Sequence, residues 1–176
     1  MKKRFLFSTL LLLTTFLVQA QMEYHHGGGL NLMAALDSTG GGGFGLTYKM
    51  RFNVAEAGDN GAIAVSAYPG FGFSGSANSR TGGSFNYTYE LPLLATYNLG
   101  RFATEKSDGN IGFFVGAGYN LYGFSDSDGN SVKGNGIVGM LGLRFAVRDQ
   151  PIELNISYST GHKVLGLRLL YLFERG

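Results

Sequence analysis

Phe85–Leu99 reads Phe-Asn-Tyr-Thr-Tyr-Glu-Leu-Pro-Leu-Leu-Ala-Thr-Tyr-Asn-Leu. Phe85, Tyr87, Tyr89, Leu91, Leu93, Ala95, Tyr97 and Leu99 fall on one side of a period-two pattern. Asn86, Thr88, Glu90, Pro92, Leu94, Thr96 and Asn98 fall on the other. A strand sends successive side chains to opposite faces, so this alternation predicts a β-strand. It is longer than the five or six residues typical of globular strands. One face is apolar with aromatics near both ends, and the other is mostly polar with a carboxylate at its centre. Such a face must pack inside a sandwich or soluble barrel, or look out at lipid from a tilted strand of about ten residues.

The chain has 176 residues, enough for one domain with a sizeable core. Its 29 glycines, 3 prolines and 14% aromatic content suit many strands joined by tight turns and do not suit a helical domain. There is no cysteine, which excludes disulfides, zinc–thiolate sites and cysteine nucleophiles.

Residues 1–20 have a basic start (Lys2, Lys3, Arg4), an apolar run from Phe5 to Val18, and Val-Gln-Ala before Gln21. That is the layout of a cleaved secretory signal peptide. The run is shorter than the roughly 20 residues a helix needs to cross a bilayer. The chain's formal charge of +2 includes those three cations, so residues 21–176 carry −1. No basic surplus argues for nucleic acid. Gln21–Gly29, with His25 and His26, reads as a flexible lead-in to a single domain over residues 21–176, and adjacent side chains do not converge on one metal ion in a strand.

Seven further stretches alternate in the same way: Leu30–Asp37, Phe44–Val54, Ala62–Phe73, Ile111–Tyr122, Ile137–Arg148, Ile152–Thr160 and Val164–Phe173. Glycine- and Asx-rich turns separate them, among them Ser38–Gly43, Glu56–Gly61, Ser74–Ser84, Phe124–Gly134 and Asp149-Gln150-Pro151. Arg101–Asn110 reads as a charged loop. All connections are short enough for antiparallel neighbours. The expectation is an all-β, eight-stranded, antiparallel up-and-down transmembrane β-barrel.

Charge decides which face is inside. The polar faces carry Asp37, Lys49, Arg51, Glu90, Arg144, Glu153 and Arg168, while the apolar faces are almost free of charge. Arg or Lys on a lipid face at the bilayer midplane costs about 2–4 kcal/mol. The apolar faces are therefore expected outside, against outer-membrane lipids. Aromatics fall near both ends of the strands, as interfacial belts do. An eight-stranded barrel has an interior that its own side chains can fill. Lys49, Arg51, Glu90, Arg144, Glu153 and Arg168 are expected to form a mutually neutralising interior charge network, with the carboxylates paired to some of the cations.

With these features the chain resembles the small outer-membrane β-barrel family of Gram-negative bacteria, of the OmpA/OmpX transmembrane type, in its porin-family form common in Bacteroidota. The resemblance rests on Gln19–Gln21 closing the signal, Glu90-Leu-Pro-Leu-Leu94, Phe114-Val-Gly-Ala-Gly-Tyr119 and the aromatic-ended last strand. It implies an integral barrel in the bacterial outer membrane. It implies the barrel-assembly machinery as a partner, and a terminal Phe as the feature that machinery reads; here Glu174-Arg175-Gly176 follow Phe173. It brings no catalytic residues, no cofactor and no particular ligand.

Three local patterns bear on chemistry. Asp126-Ser-Asp128-Gly-Asn130 has half of a calcium loop's oxygens and lacks the later Glu, so it reads as a turn. His162 near Ser157 and Ser159 invites a hydrolase comparison, but no acid partner is evident nearby in sequence. The glycine clusters lack a following helix and Lys, so they are not phosphate loops. The leading expectation is a non-enzymatic barrel with a structural or surface-interaction role. A narrow porin-like channel stands second and an outer-membrane lipid hydrolase third. A soluble lipocalin-like binder is the fourth reading.

Overall fold

The computed structural model describes residues 23–37, 41–76, 84–107, 109–125 and 130–173. The signal segment, Gln21 and Met22, Ser38–Gly40, most of the Ser74–Ser84 loop, Asp108, Asp126–Gly129 and the last three residues lie outside them. The strands are β1 Tyr24–Ala35, β2 Gly42–Glu56, β3 Gly61–Ala67, β4 Gly70–Ser76, β5 Ser84–Gly100, β6 Ile111–Ser125, β7 Ser131–Val147, β8 Gln150–Ser159 and β9 Val164–Phe173. Every pairing is antiparallel, and β1 pairs with both β2 and β9, so the sheet closes on itself. Among the described residues no helix is long and apolar enough to cross a membrane.

The stretch Ala62–Phe73, expected as one strand, is two segments interrupted at Tyr68-Pro69. The register is the same on both sides of the break. Ala67 faces Leu93 and Gly70 faces Glu90 on β5, while Ala67 faces Met50 and Gly70 faces Thr47 on β2. The break is chemical. Pro69 has no N–H, and neither does Pro92, which stands opposite Tyr68. The ladder keeps only the bonds that prolines allow, Tyr68 N to Pro92 O at 3.1 Å and Tyr48 N to Pro69 O at 2.9 Å. Among the described residues the wall therefore has nine strand segments around the positions of eight staves.

Two other boundaries differ from the sequence reading. Tyr24–Gly29 is strand and not lead-in, because β9 is paired along its length by β1, from Val164 opposite Ala35 to Phe173 opposite His26. The two backbones approach closely there. A Cβ on Gly29 would lie 2.0 Å from Leu169 O, which only glycine permits. In addition, β6 and β7 run on as a ladder to Ser125 opposite Ser131, through residues expected in the Phe124–Gly134 loop. Phe124 is buried there against Tyr122, Met33 and Val164, and this packing overrides the local turn composition.

The burial pattern is inverted relative to a soluble domain. Outward positions are large and apolar: Leu46 is 68% exposed, Leu141 59% and Phe113 53%. Inward positions hold Lys49, Arg51, Arg144, Glu153 and Arg168, each 1% exposed or less. Rings gather at both ends of the outer face. Near one rim Phe71 and Phe73 pack on Tyr87 at 5.6 and 5.8 Å. Near the rim that carries the chain ends, Tyr24 meets Phe52 at 4.8 Å and His26 meets Phe173 at 5.2 Å. His25 and His26 point to opposite faces, and no metal-holding group of His, Asp or Glu occurs among the described residues.

Candidate functional site

The chemistry of the molecule is concentrated in its lumen. Arg144 and Glu153 are directly opposed in the β7–β8 ladder, and Arg144 Nε donates to Glu153 Oε2 at 2.8 Å. Lys49, arriving from β2 across the barrel, donates to the same oxygen. Tyr68 Oη donates to Glu153 Oε1 at 3.1 Å, and Asn155 Nδ2 does so at 3.1 Å. Asn155 links this centre to a second one. Its Oδ1 accepts from Arg168 Nη1 at 3.3 Å, and Arg168 holds Glu90 in a two-pronged pair at 2.9 and 2.5 Å. Ser157 Oγ accepts from the same Arg168 nitrogen at 3.0 Å.

Rings complete the packing of these cations. Phe114 lies 4.6 Å from the Arg144 guanidinium and 5.8 Å from Lys49 Nζ. Tyr68 lies 6.0 Å from Lys49 Nζ and 5.8 Å from the Arg168 guanidinium. A desolvated cation over an aromatic face gains attraction as well as cover. Phe114 has room because Gly142 stands opposite it; a Cβ there would be 2.0 Å from the ring.

The structure places the six expected network residues inside the barrel but does not pair them all. Arg51 meets no carboxylate among the described residues. Its Nη2 donates to Phe102 O at 2.5 Å and Ala103 O at 3.3 Å, and its Nη1 to Asn98 Oδ1 at 3.3 Å. Asp37, counted with the inward charges from sequence, lies past the end of β1 at the far rim. There its Oδ2 is 3.0 Å from His162 Nδ1. Among the described residues the lumen thus holds four cations against Glu90 and Glu153, with Glu23 at the mouth.

The connection after Gly100, expected as a charged loop, folds back into the barrel mouth. Ala103 and Thr104 are buried. Phe102 adopts a left-handed φ of 63°, which turns its carbonyl toward Arg51. Asn53 Nδ2 donates to Ala103 O at 2.8 Å and to Glu23 Oε2 at 2.6 Å, and Glu23 Oε1 accepts from Glu105 N at 3.2 Å. Sequence reasoning missed this plug. Its signal was the uncharged Phe102-Ala103-Thr104 inside a charged stretch. The opposite end is filled by Met33, Tyr122, Phe124 and Val164, with Ala35 and Val132 against them. Between the ends Tyr68, Leu94, Phe114, Val138, Met140 and Leu170 form an apolar layer.

His162 does have an acid partner, which the sequence did not show, because Asp37 is brought to it by the β1–β9 pairing. The two serines considered with it are engaged elsewhere. Ser157 accepts from Arg168, and Ser159 accepts from Asn120 Nδ2 at 3.1 Å. His162 instead packs edge-on against Tyr122 and Phe124, and its backbone N donates to Tyr122 Oη at 2.6 Å. Neither of these serines therefore joins the Asp37–His162 pair in a triad. Concavities occur on the outer wall. One, of about 490 Å³, runs between Tyr97, Phe113, Val115, Leu141, Leu154 and Leu167.

The sequence matches no protein-family model and no curated protein. Solved structures are similar. Ail, the attachment invasion locus protein of Yersinia pestis, in complex with the heparin analogue sucrose octasulfate, superposes with a TM-score of 0.50 at 16% identity. A second structure of Ail gives a TM-score of 0.50 at 14% identity. Each match covers 88% of this chain and 100% of the Ail chain. The chain has the fold of a small outer-membrane β-barrel. At these identities the likeness is one of fold, and it extends to the closed antiparallel ring described above.

Proposed function

We propose that this protein is an integral barrel of the bacterial outer membrane with a structural or surface-interaction role, and that its lumen does not conduct. The carrying observation is the filled interior. A plug stands at one mouth and an aromatic-aliphatic cluster at the other end, and between them an ionic network is interleaved with buried apolar side chains. The uncharged outer wall with its two ring clusters supports the membrane placement, since lipid offers no partner to a charge or to an open sheet edge. Residues 1–20 serve as an export signal that is removed, which intact-mass measurement of the purified protein checks.

The rim away from the chain ends is the surface available for contact. By sequence the stretches joining strands on that side, with the start of β7, carry Arg80, Lys133 and Lys163 against Asp37, Asp126 and Asp128. These charges balance by count, so they do not argue for a polyanion ligand like the sulfated sugar of the Ail complex. The test of the reading has two parts. The folded protein partitions with membranes and migrates differently on a gel before and after boiling. In planar bilayers it gives no steady conductance steps, whereas regular steps establish the channel reading instead.

A further inference from the structure

Among the described residues, the half of the lumen nearest Tyr24 and Phe173 holds three cations: Lys49, Arg51 and Arg144. The carboxylates within reach are Glu153, shared by Lys49 and Arg144, and Glu23 at the mouth, occupied by Asn53, His25 and the Glu105 backbone N–H. Counting His25 as neutral, one positive charge is left over in a space closed by the plug. Arg51 and Arg144 moreover converge on a single acceptor, Asn98 Oδ1, at 3.3 and 2.6 Å. An amide oxygen supplies a dipole and no charge, so the two guanidinium groups share a neutral partner.

Two donors of this pair have no protein acceptor although they are buried: Arg51 Nε and Arg144 Nη1. Buried N–H groups are nearly always matched, and unmatched ones on charged groups are the costly kind. Asn53 Oδ1 is also unmatched, but it is an acceptor, so its natural partner is a water. Water can serve the two arginine donors as well, but it leaves the surplus charge in place. A monovalent anion answers both needs. A divalent one overshoots the surplus of one.

We propose that Arg51 and Arg144 hold a small monovalent anion of halide size in the lumen beside Asn98. The anion takes the two free N–H groups and acts as the counter-ion that Arg51 lacks. Arg51 is then both an anion ligand and, through Phe102 and Ala103, the latch of the plug, so anion occupancy and closure of that mouth are linked. This inference is independent of any surface role of the barrel.

The test uses the folded full-length protein in detergent, unfolded by urea in sodium bromide or sodium gluconate at equal ionic strength. Bromide is expected to raise the urea midpoint above that in gluconate. Above its dissociation constant, the folded-to-unfolded ratio rises about tenfold per tenfold increase in bromide. Arg51→Gln is expected to abolish the difference between the two salts. Should Arg51→Gln not fold, crystals of the unmutated protein grown in bromide decide the matter. An anomalous peak within hydrogen-bond distance of Arg51 Nε and Arg144 Nη1 establishes the site. Equal midpoints in both salts, with bromide peaks confined to the protein surface, overturn it.

Discussion

Arg144 lies directly opposite Glu153 in the β7–β8 ladder and donates to it at 2.8 Å, yet the same carboxylate oxygen is also claimed by Lys49 from across the barrel. One buried anion thus organises two buried cations. Removing one member of a buried ionic cluster costs about 3–5 kcal/mol, because it strands uncompensated charge. Glu153→Gln is therefore expected to lower the urea-unfolding free energy by about that amount. Lys49→Met is expected to cost less, since Glu153 keeps Arg144. Equal losses for the two variants would mean that Lys49 contributes independently of Glu153.

Arg168 and Glu90 form a more self-contained pair, with two hydrogen bonds between them. Arg168→Met alone is expected to cost about 3–5 kcal/mol by leaving Glu90 buried and unpaired. The double variant Arg168→Met with Glu90→Gln is expected to recover most of that loss. A double-mutant cycle on the folded barrel measures the coupling. Additive losses would count against a direct pair.

Gly142 leaves the space that the Phe114 ring fills under Arg144. Gly142→Ala is expected to push the ring aside and to destabilise the barrel by about 1–3 kcal/mol. Phe114→Leu in the same chain is expected to relieve the clash partly. An unchanged urea midpoint for Gly142→Ala would show that the ring moves without cost.

Leu141 stands on the outer wall in mid-strand, between Val115 and Ile156. Leu141→Arg is expected to cost about 2–4 kcal/mol in a lipid bilayer, and Val147→Arg, at the end of β7, about 0–1 kcal/mol. Stability measured in lipid vesicles checks the depth dependence. Equal costs at both positions would remove the lipid-facing assignment of this wall.

The wall was legible in the sequence to an unusual degree because its signal is local. Each strand's alternation states its own two faces, and Phe85–Leu99 or Ile152–Ser159 need no other residue to be read. The interior was less legible because it depends on stagger between strands. Lys49 reaches Glu153 across 104 positions, and Asp37 reaches His162 across 125. No local pattern encodes those meetings. The opposition of Pro92 to the Tyr68-Pro69 break has the same origin: each proline was visible, but not that the register would set them side by side. The plug after Gly100 was hidden for a different reason. Its fold is held by Arg51 and Asn53 on another strand, and by itself the stretch looks like an ordinary turn.

The ring closes between the two ends of the chain, with His26 beside Phe173. Until the final strand is made and docked, β1 has no partner on one side, and its row of free amide and carbonyl groups is a template for strands of other molecules. The contact that completes the wall is also the one of greatest sequence separation, the kind that makes folding slow. The chain is consequently most prone to aggregate while its apolar sheet is still unclosed, and the yield of folded barrel depends on how fast the ring closes as much as on the stability of the finished barrel.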